Sequence, residues 1–260
     1  MKDKVFVGYL QSLALGIFFV FSFCSNAEAF DFTDWDGLII KYVTPRKLGG
    51  VSFHAFDYER LKADPVFSNL VSRLNSFPLD NLQSREAKLT FWVNVYNILA
   101  AKMITDNFPI ESITDVGNFF SPVWKRPAGK VGGKERTLNG IEHEILRKMD
   151  EPRIHVAIVC ASISCPDIRL EAYTVAKLSD QLDDQMKMFL SSREKGMRLD
   201  EKKNRVYLSR IFKWFAEDFE SRGGVLNFIA QYVNPEERKA LNKSPIKISY
   251  LDYNWKINGQ

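Results

Sequence analysis

Several features that assign a protein to a common functional class are missing from this sequence. Basic residues are scattered rather than interleaved with aromatic residues in one stripe, and the formal net charge is only +4, so no surface for nucleic acid is predicted. No glycine-rich loop leads into a Lys-Ser/Thr pair or a nucleotide-binding turn, and no Gly-x-Ser-x-Gly turn supplies a serine nucleophile. We therefore expect neither nucleic acid as a partner nor a bound cofactor.

Long hydrophobic runs are also missing, except for one at the N-terminus. Lys2 and Lys4 precede an uncharged run from Val5 to Phe23, and a small-x-small cleavage pattern ends at Ala29. This order is typical of a secretory signal peptide, although the run is about long enough to remain as an uncleaved membrane anchor. The polar residues between the run and the cleavage pattern favour cleavage. The sequence thus predicts a signal peptide over residues 1–29 and a periplasmic or secreted mature protein without a membrane segment.

The remaining residues, 30–260, show no linker, internal repeat or low-complexity tract. Since the chain is 45% hydrophobic and 26% charged, an ordinary globular composition, these residues are predicted to form a single domain with a sizeable core. Apolar residues recur at helical spacing in several segments and alternate in a few short ones. This mixture predicts an α+β fold, in which a small central β-sheet, containing a strand over residues 153–160 and a late hairpin, packs against several helices.

One of the predicted helices is expected to be fully buried. From about Arg85 to Thr105 the spacing is helical, and between Leu89 and Ile104 the segment is apolar nearly all round. Asn94 and Asn97, three residues apart, lie on one face of this helix. Because a buried amide without a partner is costly, they must either tie neighbouring loop backbone into the core or line a polar site.

The stretch from Pro152 to Pro166 concentrates the most reactive side chains. It is apolar on both faces from Ile154 to Val159, which is typical of a central strand, and it carries His155, Cys160 and Cys165. Sites are commonly assembled at the C-terminal ends of strands, where Cys160 is expected. Because the offset between His155 and Cys160 is odd, a regular strand would point these two side chains to opposite faces.

These residues predict a thiol-dependent enzyme of the hydrolase or acyl-transfer kind. A cysteine is a useful nucleophile only as the thiolate, which needs a nearby imidazole or positive charge. Cys160 is the candidate nucleophile, and His143 on the preceding helix or His155 the candidate base. Asn94, Asn97 or Asp115 would orient the imidazole, as in a Cys-His-Asn/Asp arrangement. The expected substrate is a small molecule or a peptide.

Other interpretations remain open for the same side chains. Cys160 and Cys165 are the only cysteines after the predicted cleavage site, so they can form a disulfide or a redox pair, and with the histidines they offer zinc ligands. Glu142 stands three residues after Asn139, which is the spacing of a helix capping box. A non-catalytic binding or scaffold protein, whose buried polar residues only fix the core, is the contrasting hypothesis.

Six blocks of the sequence together resemble one family, the domain of unknown function 547 (DUF547). They follow in order over most of residues 30–260 and read FWVNVYN from Phe91, SITDVGNFF from Ser112, TLNGIEHEILR from Thr137, PRIHVAIVCASISCP from Pro152, EAYT from Glu171 and LSRIFKWFAEDF from Leu208.

The resemblance implies shared site residues but no particular reaction. Bacterial members with an export signal resemble this chain closely. Plant members resemble it at His155, Ser164 and Pro166, whereas the thiol position is not fixed and some members lack a counterpart of His143 or Cys165. The resemblance thus favours His155 and Ser164, together with the two buried asparagines, as shared site elements.

Overall fold

The computed structural model describes residues 29–118, 122–243 and 245–259. The predicted signal peptide, apart from Ala29, lies outside these residues. No helix in the described part of the chain combines the length and the apolar character needed to cross a membrane.

The first elements form a helical layer with one hairpin at its edge. In chain order they are helix α1 (Thr33–Tyr42), strands β1 (Val43–Leu48) and β2 (Val51–Phe56), and helices α2 (Tyr58–Ala63) and α3 (Pro65–Ser76). The two strands are antiparallel. Helix α3 begins at Pro65 because the Asp64 carboxylate accepts a hydrogen bond from the Val66 amide at 2.8 Å, and proline has no amide hydrogen to satisfy there.

Helix α4 (Arg85–Asn107) is the buried helix that the sequence predicts. The Ser84 hydroxyl caps its start by accepting a hydrogen bond from the Ala87 amide at 3.0 Å. Apart from Lys102, every residue from Leu89 to Thr105 is buried. An all-round apolar surface is stable only when other elements cover every face of the helix, so the rest of the domain is built around α4.

The second half of the domain alternates short helices with short strands. Its elements are β3 (Pro127–Val131), β4 (Lys134–Thr137), a π-helix (Gly140–Leu146), α5 (Ile154–Ala157), α6 (Leu178–Ser191), β5 (Met197–Asp200), β6 (Arg205–Leu208), α7 (Ile211–Trp214), a 3₁₀-helix (Ala216–Arg222), α8 (Gly224–Ile229), α9 (Pro235–Leu241) and β7 (Lys247–Tyr250). Further single 3₁₀ turns lie at Leu79–Asn81, Ile113–Val116, Val123–Lys125, Arg147–Met149, Val175–Lys177 and Glu201–Lys203.

The α+β fold class is confirmed, but the strands do not share one sheet. In the described residues they form two separate hairpins, β1–β2 and β3–β4, and a three-stranded sheet in the order β5-β6-β7. The predicted late hairpin is the antiparallel pair β5–β6, and β7 joins β6 in parallel. Small sheets packed against helices therefore replace the single central sheet.

The predicted central strand over residues 153–160 is wrong. Ile154 to Ala157 form the short helix α5, closed by a hydrogen bond from the Ile158 amide to the Ile154 carbonyl at 2.9 Å, and only the residues after it are extended. Periodicity alone does not separate a short strand buried on both faces from a buried helical turn. This turn is apolar all round because Ile154 and Ala157 pack into the main core around α4, whereas Val156 packs into a second core beside α6.

The C-terminal segment after β7 returns to the middle of the domain. Its backbone forms isolated bridges between Ser162 and Ile257 and between Ser112 and Lys256. The Asn258 amide donates to the Ala161 carbonyl at 2.9 Å. These bonds attach the segment to the loop after α5, so that side chains distant in sequence meet between the two cores.

Candidate functional site

A cavity of about 380 Å³ opens where the π-helix, the loop after α5, α7 and the C-terminal segment meet. Its lining combines aromatic side chains with polar and reactive ones. The aromatic side chains are Tyr96, Trp124, Trp214, Phe215, Tyr253 and Trp255, and the polar or reactive ones are Asn139, Glu142, His143, His155, Cys160 and Cys165. Cys160, His143 and His155, which the sequence predicts as one site, thus line one cavity.

His155 is buried, and one of its two ring nitrogens forms a hydrogen bond. Its Nε2 lies 2.7 Å from Asp218 Oδ2, and its ring stacks on Phe215 with 4.0 Å between the ring centres. Because an ionised carboxylate only accepts hydrogen bonds, Nε2 carries the proton and Nδ1 has a free lone pair. Nδ1 is buried without a hydrogen-bond partner among the described residues, and Glu142 Oε1 lies 3.9 Å from it.

The electrostatics keep this imidazole neutral and its partner ionised. Burial lowers the pKa of His155 by more than the hydrogen bond to Asp218 raises it. Burial alone would raise the pKa of Asp218, but hydrogen bonds from His155 and Arg147 hold it well below the usual range. Arg147 binds Asp218 with both Nε and one terminal nitrogen at 2.6 Å. The Asp218 carboxylate therefore fixes the tautomer and the orientation of a neutral base.

Glu142 does not form the predicted capping box. Asn139 makes no side-chain cap at the start of the π-helix, and Glu142 points its carboxyl group toward Tyr96, whose hydroxyl lies 3.5 Å from Oε2. Burial raises the pKa of Glu142 to about 7, and negative charge on Cys160 raises it as well. The wide turns of π-helices occur frequently at functional sites; here such a turn carries a carboxyl group that exchanges a proton near neutral pH.

His143 lies in the same cavity but is oriented differently. Its Nδ1 lies 2.8 Å from a terminal nitrogen of Arg147, which only donates, so this ring nitrogen accepts. Burial and the charge of Arg147 both lower its pKa. His143 thus packs beside the Arg147–Asp218 pair.

Three side chains lie within hydrogen-bonding distance of the Cys160 sulfur. This Sγ lies 2.8 Å from Cys165 Sγ, 3.3 Å from Ser162 Oγ and 3.4 Å from Tyr253 Oη, and both cysteines are free thiols. The hydrogen bond from Cys165 lowers the pKa of Cys160 to about 6, against the effect of burial. Burial and the negative charge of Cys160 raise the pKa of Cys165 well above its usual value. Of the two thiols, Cys160 is therefore the one that ionises more readily.

The two buried asparagines of α4 tie loop backbone into the core. Asn94 donates to the Tyr173 carbonyl at 2.8 Å and accepts from the Tyr173 amide at 2.9 Å. Asn97 donates to the Ala157 carbonyl at 3.0 Å and accepts from the Val159 amide at 2.8 Å. Neither lines the cavity. Asn97 nevertheless holds the backbone that joins His155 to Cys160.

Two further predicted residues also make local structural contacts. Asp115 closes a capping box by accepting from the Ser112 amide at 2.8 Å. Ser164 accepts from the Asn254 amide at 2.8 Å and so positions the C-terminal segment. Neither lines the cavity. In the described part of the chain no three His, Cys, Asp or Glu side chains converge as metal ligands, so the zinc interpretation lacks a ligand set there.

Asp218, Arg147 and Tyr253 contribute to the site although the sequence does not single them out. Asp218 lies within the block LSRIFKWFAEDF, but Glu217 and Glu220 stand beside it, and no spacing separates the carboxylate that faces inward. Tyr253 reaches the thiol only because the C-terminal segment folds back. The only signal in the sequence is that acidic residues lie near the end of the aromatic block LSRIFKWFAEDF.

Alkylation of Cys160 by iodoacetamide is expected to rise with pH and to level off above about pH 7, because the thiolate is the reactive form and its pKa is about 6. An ordinary thiol, with a pKa of about 8.5, gains reactivity up to about pH 9. The rate is measured by mass on the tryptic peptide 154–169, which contains both cysteines. Cys165→Ala should move the midpoint upward; an ordinary midpoint in the unmodified protein would contradict the hydrogen-bonded thiolate.

Comparison with known protein families gives a match for the middle of the chain. Residues 79–190 match the family model described as "Protein of unknown function, DUF547". No curated protein and no solved structure matches the chain. The matched range contains α4, Glu142, both cavity histidines and both cysteines, whereas Asp218 and Tyr253 lie after it. Over this range the chain matches the DUF547 family, the family that its sequence blocks predict.

Proposed function

We propose that the cavity is the active site of a thiol-dependent acyl-transfer enzyme, with Cys160 as nucleophile and His155 as base. One observation carries this proposal: a thiol within hydrogen-bonding distance of three side chains shares a cavity with a buried imidazole. That imidazole has Asp218 on one nitrogen and no hydrogen-bond partner among the described residues on the other. A free lone pair on a buried, oriented imidazole is what general-base catalysis requires.

The reaction runs in two stages. The Cys160 thiolate attacks a carbonyl carbon of the substrate, the bond to the leaving group breaks, and an acyl thioester forms on Cys160. Glu142, whose pKa of about 7 keeps part of it protonated, donates a proton to the leaving group. Water then loses a proton to His155 Nδ1 and attacks the thioester, and the thiolate is released. The proton returns from His155 to Glu142, which completes the cycle.

The cavity favours small acyl compounds or the end of a peptide. Its volume of about 380 Å³ is within the range of small-molecule sites. Trp214, Tyr253 and Trp255 contact one another with ring centres 4.5 to 5.7 Å apart, and they offer an apolar surface for the part of the substrate that does not react. We also propose that the enzyme acts in the periplasm or outside the cell, which the signal-peptide features of residues 1–29 support.

Trapping of the acyl-enzyme tests the proposal. The protein, with Cys24→Ser to remove the third thiol, is treated with p-nitrophenyl acetate and quenched in acid. We expect one acetyl group on Cys160, located by fragmenting peptide 154–169, together with a burst of nitrophenolate. Cys165→Ser should keep the adduct, and Cys160→Ala should lose it while its thermal unfolding stays close to that of the parent. Equal acetylation of the parent protein and Cys160→Ala would overturn the proposal.

A further inference from the structure

Cys165 has no nucleophilic role in acyl transfer, yet its sulfur is the closest neighbour of the Cys160 thiol. Their Sγ atoms are 2.8 Å apart. We propose that Cys160 and Cys165 form a redox pair that reduces small organic disulfides entering the cavity, and that the internal disulfide so formed switches acyl transfer off. This activity uses the thiol of the proposed active site but does not depend on the acyl chemistry.

The exposure of the two sulfurs sets the order of events. Cys160 is only partly buried and faces the cavity, whereas the Cys165 side chain is 4% exposed. Both cysteines line the cavity, but Cys160 is the more exposed of the two, so an external disulfide meets Cys160 first. This is the arrangement of an attacking thiol and a resolving thiol.

The backbone allows the two sulfurs to bond. Ala161, directly after Cys160, has a φ of 60° and turns the chain, and the Cys160 amide donates to Cys165 Sγ at 2.9 Å. A disulfide joins sulfurs about 2.05 Å apart. Closing the remaining gap requires a shift of less than about 1 Å, which side-chain rotation supplies.

The exchange balances in two steps. The Cys160 thiolate attacks one sulfur of the external disulfide, and the first organic thiolate leaves a mixed disulfide on Cys160. Cys165 then attacks the Cys160 sulfur, its proton passes to the second departing thiolate, and the internal disulfide remains. Two thiols of the protein are oxidised and one external disulfide is reduced to two thiols.

The first step itself prepares Cys165 for the second. In the reduced pair, the negative charge of an ionised Cys160 and the hydrogen bond between the two sulfurs keep the proton on Cys165. A mixed disulfide on Cys160 carries no charge, so this restraint disappears when the resolving thiol is needed. The cavity volume of about 380 Å³ and its aromatic side chains favour small aromatic disulfides over the disulfides of folded proteins.

The test uses 5,5′-dithiobis(2-nitrobenzoate), a small aromatic disulfide whose thiolate is coloured. The reduced protein carries Cys24→Ser in every sample. We expect about two coloured thiolates per chain without a lasting adduct, and a peptide 154–169 that is lighter by two hydrogen atoms. Cys165→Ser should release about one thiolate and keep the nitrobenzoate on Cys160, because serine preserves a donor but removes the resolving sulfur.

The adduct, the mass of peptide 154–169 and the acetylation of the same samples together test the redox pair and separate it from acyl transfer. A lasting adduct on the parent protein, or peptide 154–169 without the loss of two hydrogen atoms, would overturn the redox pair even if no variant folds. Acetylation by p-nitrophenyl acetate, measured on the same samples, should persist in reduced Cys165→Ser and vanish from the oxidised parent protein. If acetylation fails in every sample while two thiolates are still released, acyl transfer is wrong and the redox pair stands.

Discussion

Replacing His155 by alanine is expected to lower the turnover of p-nitrophenyl acetate about 1,000-fold, the usual size of the contribution of a general base. The imidazole is the one buried base in the cavity whose lone pair has no partner among the described residues. Without it, the acyl thioester on Cys160 should accumulate, because the attacking water has no group to take its proton. The measurement is the steady-state rate after the burst, together with the mass of the acyl-enzyme.

Two matched variants separate catalysis from folding in that experiment. Asp218→Asn keeps the size of the side chain but removes the charge that orients the imidazole, so we expect a loss of about 100-fold or more in turnover. His143→Ala removes a ring of the same cavity whose Nδ1 is already bound to Arg147, and its turnover should stay close to that of the parent. If His155→Ala loses stability in thermal unfolding while Asp218→Asn and His143→Ala both keep turnover, the cavity residues form a scaffold and are not catalysts.

The elements predicted correctly are those that local patterns determine. Helix α4 follows from an apolar surface on every face. The hairpin β5–β6 has alternating residues around a polar turn. In each case the information lies within a few neighbouring positions.

The segment after Pro152 shows where local patterns fail. Its residues are apolar on all sides because two cores enclose it, and this is equally true of a strand and of a helical turn. The capping-box interpretation of Glu142 failed for a related reason: the spacing fits, but a π-helix turns the carboxyl group into the cavity. Both outcomes depend on packing partners far away in the sequence.

The same contrast between local sequence and distant packing explains which site residues the sequence identifies. Cys160 and the two cavity histidines are rare residue types, and rarity alone was enough to single them out. Asp218 lies 63 positions after His155, and it is one of many carboxylates. Only the return of the chain through α7 and the 3₁₀-helix after it, and then through the C-terminal segment, makes that carboxylate and Tyr253 different from the others.

Replacing Asn97 by alanine is expected to lower the free energy of unfolding by about 3 kcal/mol, because it leaves a buried carbonyl and a buried amide without partners. Urea unfolding of each purified variant measures the loss. Asn107→Ala is the matched control on the same helix: its side chain is exposed and bonds only the Met103 carbonyl one turn back, so its loss should stay within about 0.5 kcal/mol.

The alkylation rate of Cys160, measured in Asn94→Ala and Asn97→Ala, distinguishes a contact that only stabilises the fold from one that also positions the thiol. Asn94→Ala removes an equivalent pair of buried hydrogen bonds, but those bonds hold Tyr173, which does not line the cavity. Asn97 instead fixes the backbone between the base and the nucleophile. Both variants should therefore lose similar stability, while only Asn97→Ala should slow the alkylation of Cys160 under conditions where the protein remains folded. Equal alkylation rates in the two variants would show that the loop after α5 keeps Cys160 in place without help from α4.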